Sequence, residues 1–66
     1  MKIEYDEQAD AMYITLRAGT VAESDEVRPG VVLDFDSNDG VLGIELIDVS
    51  DRTDNPRELA MELIGA

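Results

Sequence analysis

Val31-Val32-Leu33-Asp34-Phe35-Asp36-Ser37-Asn38-Asp39-Gly40-Val41-Leu42-Gly43-Ile44-Glu45-Leu46-Ile47 is the most informative stretch of the chain. Val31, Leu33 and Phe35 alternate with Val32, Asp34 and Asp36, and Leu42, Ile44 and Leu46 alternate with Val41, Gly43, Glu45 and Ile47. Successive side chains of an extended chain point to opposite sides, so a period of two marks a strand with one buried face. Between the two runs lies Ser37-Asn38-Asp39-Gly40, built of turn-forming residues and ending in Asp-Gly. The stretch therefore reads as two strands of a hairpin.

On the N-terminal side, Arg28-Pro29-Gly30-Val31 puts Pro second and Gly third in a four-residue turn, as a type II turn requires of a third residue with positive φ. Before it, Val21 to Val27 is extended but acidic and poor in apolar residues, which suits an edge strand protected by charge. Ala18-Gly19-Thr20 reads as a tight turn. Met12, Ile14 and Leu16 oppose Tyr13, Thr15 and Arg17, the clearest alternation in the chain, and Ile3 and Tyr5 alternate with Lys2, Glu4 and Asp6. The polar Asp6-Glu7-Gln8-Ala9-Asp10 between these strands is a turn. Five strands joined by short connections predict an antiparallel meander.

Beyond residue 48 the period changes. Ser50 to Asp54 is a polar linker; Asn55 is placed to cap a helix, Pro56 suits its first position, Glu58 completes a capping-box spacing and Gly65 can terminate it. Leu59 with Leu63, and Ala60 with Ile64, form an apolar stripe. The expectation is thus an α+β, mainly β domain over 1–66: a meander over 1–48, a linker over 49–55, and a helix over 56–64 packed on one sheet face.

The chain has 66 residues, the size of one small domain, and such a chain buries only about 60% of its unfolded surface. Sixteen acidic residues against five basic ones give a formal charge of −11. Phosphate recognition needs a Lys/Arg footprint, so this balance argues against nucleic acid as a partner. With 44% apolar residues in ordered patterns, the chain is nevertheless a folding sequence. There is no Cys and no His, which removes disulfides, thiolate zinc sites, cysteine nucleophiles and the commonest general base. No apolar run approaches the length of a membrane span, and a cytoplasmic location without membrane contact is expected.

Asp34, Asp36, Asn38 and Glu45 fall at positions 1, 3, 5 and 12 of a calcium-binding EF-hand loop. Gly40 comes one residue after the position that loop demands, and strand alternation replaces its flanking helices, which favours an acidic hairpin over a metal site. Asp6, Glu7 and Asp10 could be read as a carboxylate group for acid–base work or a divalent cation, against a turn held by Asp side chains. Ser24, Ser37 and Ser50 have no His to activate them. The chain is therefore expected to be neither an enzyme nor dependent on a cofactor. Tyr13, Val32, Val41 and Ile47 lie on the parity opposite the main core set, and one helix covers one face only. They are either scattered exposed residues or an interface, and small domains often obtain missing burial by association, which points to a homodimer.

Three blocks, Tyr5-Asp6 with Asp10-Ala11-Met12-Tyr13-Ile14 and Leu16, then Arg28-Pro29-Gly30-Val31-Val32-Leu33-Asp34, then Leu42-Gly43-Ile44-Glu45-Leu46 with Asp48-Val49-Ser50, resemble the bacterial and archaeal domain-of-unknown-function family 2283. The resemblance covers about residues 1–52; the segment from Thr53 onward is less characteristic. It implies a small β-rich protein without an assigned activity or defined catalytic residues, and, from the frequent pairing of the family's genes with those of a small RNase-like toxin family, an antitoxin role. Residues and resemblance together lead to a protein-interaction module binding a basic protein, with Glu23, Asp25 and Glu26 of the acidic edge as contacts. A small divalent-cation binder is the alternative.

Overall fold

The computed structural model describes residues 1–65. Five strands form one antiparallel sheet: β1 (Lys2–Asp6), β2 (Ala11–Thr15), β3 (Glu23–Arg28), β4 (Val31–Phe35) and β5 (Val41–Ile47), followed by a 3₁₀ turn at Val49–Asp51. The five expected strands are present, with shifts of one or two residues at their ends. Their spatial order is β1-β2-β5-β4-β3, so the meander is corrected. β1–β2 is one hairpin and β3–β4–β5 a three-stranded run, and β5 pairs with β2.

This order follows from which strand most needs cover. β5 carries apolar residues on both parities, and Leu42 and Gly43 within it are buried. It takes the centre, and the acidic β3, exposed except at Val27, takes an edge. Residues 16–22, expected to contain a tight turn, instead run across the ends of β5 and β4. Crossing three strand spacings needs about 14 Å, and seven extended residues reach about 23 Å. The path is held by the Leu16 and Arg17 amides donating to the Leu42 carbonyl (2.8 and 3.3 Å) and the Ala22 amide to that of Phe35 (2.8 Å).

The opposite end is closed by the 3₁₀ turn. Val49, 2% exposed, plugs it. The Ser50 hydroxyl donates to Asp10 Oδ2 at 2.6 Å, and the Arg52 guanidinium donates to the Ile47 and Pro29 carbonyls at 2.7 and 2.6 Å. Gly30 has φ +77°, the value expected of the third residue of a type II turn, and its carbonyl accepts the Ile47 amide.

No α-helix is present among the described residues, and the helix expected over 56–64 is corrected. Its cap does form locally: Asn55 Oδ1 accepts the Arg57 amide at 3.1 Å and the Asn55 carbonyl accepts the Glu58 amide at 3.1 Å. The turn does not propagate. A nine-residue helix lies below the length stable without tertiary packing, and Leu59, Met61, Leu63 and Ile64 are 71–91% exposed. The sheet therefore lacks its expected helical layer; on its apolar face Gly19 of the crossover packs against the Leu42 side chain, and residues of the 52–59 segment border Ile3, Tyr5 and Met12.

Candidate functional site

Strand register sorts the side chains into two unlike faces. On the first, Ile3, Ile14, Ile44 and Leu33 stand in one row across β1, β2, β5 and β4, and Tyr5, Met12, Leu46 and Val31 in the next. On the second, Glu4, Tyr13, Glu45, Val32 and Glu26 form a row spanning all five strands. Carboxylates on alternate strands thus repeat about every 10 Å, with Tyr13 and Val32 between them.

Beside that row lies a polar network that spans four strands. Tyr13, on β2, lays its ring over Gly43 of β5 and donates its hydroxyl to Asp34 Oδ2 of β4 at 2.7 Å; Ser24 of β3 donates to Asp34 Oδ1 at 2.6 Å. A glycine in a central strand often marks such a close approach. The hydrogen bond to the Asp34 carboxylate, helped by desolvation and the charges of Asp34 and Glu45, pushes the Tyr13 phenol up to about 12. Sequence reasoning placed Tyr13 on this face as an apolar contact and missed the network. Gly43 inside an otherwise apolar strand was the available signal.

The remaining candidates are held apart. Tyr13, Val32 and Ile47 share the second face by alternation, and Val41 enters the ladder at its irregularity opposite Phe35. The ground for assigning self-association to this set, a helix covering the other face, falls away with the helix. Glu23, Asp25 and Glu26 are exposed on edge strand β3, with Glu26 on the second face and Glu23 and Asp25 toward the first.

The EF-hand-like set does not converge. Asp34 accepts Tyr13 and Ser24, while Asp36 accepts the Asn38 and Gly40 amides at 2.9 and 2.8 Å and pairs with Arg17. The two amides, that of Gly40 foremost, hold the Asp36 carboxyl below its ordinary value. Asp6 accepts the Gln8 and Ala9 amides, Glu7 pairs with Arg57, and Asp10 accepts the Ser50 and Tyr5 hydroxyls. The Ser50 hydroxyl is the main reason the Asp10 carboxyl lies below its ordinary value. These are turn and tether contacts, and no three carboxylates gather as a cation site among the described residues. No helix among them is long and apolar enough to cross a membrane.

Residues 2–50 match the family model described as protein of unknown function (DUF2283). The chain belongs to the DUF2283 family. The match spans the whole sheet and stops at the 3₁₀ turn, so the DUF2283 unit is the five-stranded sheet with its closing turn, and the segment after it lies outside the match. No curated protein and no solved structure matches the chain.

Proposed function

We propose that the chain is a non-enzymatic, cytoplasmic interaction module that binds a basic protein through its carboxylate-bearing sheet face. The observation that carries this reading is the row Glu4, Tyr13, Glu45, Val32 and Glu26, in which an aromatic and a branched apolar side chain alternate with three carboxylates across the sheet. Apolar anchors ringed by charge are the composition of a selective protein interface, and complementary charge speeds association while rejecting acidic competitors. With 16 acidic residues on so small a surface, the field reaches well beyond contact distance. A nuclease whose RNA-binding surface is positive is the partner chemistry this face suits, and blocking that surface is what an antitoxin does. Of the edge residues Glu23, Asp25 and Glu26, Glu26 ends this row, while Glu23 and Asp25 add negative charge along the edge on the other side.

The test is the association rate of the full chain with a basic partner recovered by pull-down and then purified. Charge reversal at Glu4, Glu45 and Glu26, the three carboxylates of the row, is expected to slow association about tenfold and flatten its salt dependence. Unchanged on-rates, or a recovered partner that is itself acidic, refute the reading.

A further inference from the structure

The apolar face of the sheet is bordered by residues of the 52–59 segment beside Ile3, Tyr5 and Met12 and by Gly19 at Leu42, its remaining apolar strand residues are half-buried, and its dimensions say what fits over the rest. The molecule measures 38 × 34 × 18 Å and its radius of gyration is 13.1 Å, against about 11 Å for a compact chain of this length. Its accessible surface is 5213 Å², about 1,100 Å² more than the roughly 4,100 Å² expected of a folded 7.2 kDa monomer. A standard interface buries about 800 Å² per partner, and the excess is shared between the sheet and the exposed Leu59, Met61, Leu63 and Ile64.

We propose that this face is the interface between two copies of the chain, packed sheet against sheet. Domains are built of at least two packed layers, and the second copy supplies the layer that one chain lacks. Its shape matches. Five strands at about 4.8 Å spacing make a face roughly 20–24 Å wide, which another five-stranded sheet covers at about 10 Å separation. The chain's own 56–64 segment, even if coiled into a helix about 10 Å across, covers no more than two strands' width.

Charge selects the same face. Each copy carries −11, so two copies meet with least repulsion where carboxylates are fewest. Ile3, Ile14, Leu33, Phe35, Ile44 and Leu46 carry no charge; Glu23 and Asp25 stand on edge strand β3, and at the β1 end Glu7 and Glu58 border the face beside Arg52 and Arg57. Pairing through a two-fold axis leaves both carboxylate rows outward. A basic protein is drawn to those rows, and this assignment stands independently of whether such a partner exists.

Adjacent residues of β4 provide the test, because Val32 and Leu33 point to opposite faces. Sedimentation equilibrium of the full chain is expected to give twice the 7.2 kDa chain mass, with tighter association as salt screens the like charges. The melting temperature should rise as protein is raised from about 2 to about 200 µM, since a dimer's stability depends on concentration. Leu33→Lys is expected to abolish the dimer while Val32→Lys retains it, and Leu63→Ser with Ile64→Ser is expected to leave the mass unchanged. If Leu33→Lys does not fold, the wild-type concentration dependence decides. A wild-type monomer with a concentration-independent melt, a dimer lost in Val32→Lys and kept in Leu33→Lys, or a dimer lost in the Leu63/Ile64 variant overturns the assignment.

Discussion

Replacing Gly43 by Ala should destabilise the protein, opposite in sign to the usual effect in a strand. Elsewhere the change gains about 0.5–1 kcal/mol, because Ala surrenders less backbone freedom than Gly on folding. Here the added Cβ would stand 2.6 Å from Tyr13 Cζ and 2.9 Å from Cε2, closer than carbon atoms approach. The ring must swing away and release its 2.7 Å hydrogen bond to Asp34. A hydrogen bond to a charged acceptor contributes about 1.5–3 kcal/mol, which leaves a net loss of about 1–2 kcal/mol. For a domain of this size the melting temperature should fall by about 5–15 °C. Urea titrations of wild type, Gly43→Ala, Tyr13→Ala and the double variant, followed by far-UV circular dichroism at one protein concentration, measure the coupling. With Tyr13 already truncated, Gly43→Ala should become neutral or stabilising. A Gly43→Ala protein as stable as wild type, or additive losses in the double variant, would refute the argument.

The Tyr13 phenol has a folded value of about 12 against an ordinary 10.0, so its contribution is complete below pH 10 and lost as pH rises toward 12; Tyr13→Phe should flatten the alkaline limb of stability against pH in urea titrations. Asp10 and Asp36 are shifted the other way, below 3.8, so their contribution is intact above that value and disappears as pH falls through their lowered folded values; Asp10→Asn with Asp36→Asn should lose stability at pH 7 but show a shallower decline between pH 5 and 2. Leu42, 3% exposed, should cost about 2–5 kcal/mol when cut to Ala and unfold much of the population at 37 °C, whereas Leu63→Ala, at an 89% exposed position, should stay within about 0.5 kcal/mol of wild type by thermal melting.

The strands and most of the turns were legible because their signals are local, whereas the tight turn expected at Ala18-Gly19-Thr20 gave way to the crossover. Alternation alone assigned Val31, Leu33, Phe35, Ile44 and Leu46 to one face, as the register shows. Pro29-Gly30 announced a turn that the +77° φ of Gly30 bears out, and the charge of residues 23–26 marked an edge. The Tyr13–Asp34 bond was not legible: its partners are 21 residues apart, and nothing local says that a tyrosine of β2 reaches across Gly43 to β4.

Chain order and C-terminal conformation show where local information stops. A period of two tells which way a side chain faces but not which strand lies alongside, so the sequence equally allowed β2 to pair with β3 or with β5. Competition for the buried centre decided it, since β5 alone needs cover on both sides while β3 tolerates water on both. The capping residues at Asn55 and the apolar stripe from Leu59 to Ile64 are equally real as local preferences, and the cap forms its turn. Whether a helix followed depended on a surface to pack against, and without that tertiary contact one turn of hydrogen bonds does not offset the entropy of ordering nine residues. The sequence by itself determined strands, their hairpin turns, faces and the acidic character of the surface; the tertiary structure decided the neighbour of each strand, the crossover over residues 16–22, the network over Gly43 and the fate of the C-terminal segment, because those depend on burial shared between residues far apart in the chain.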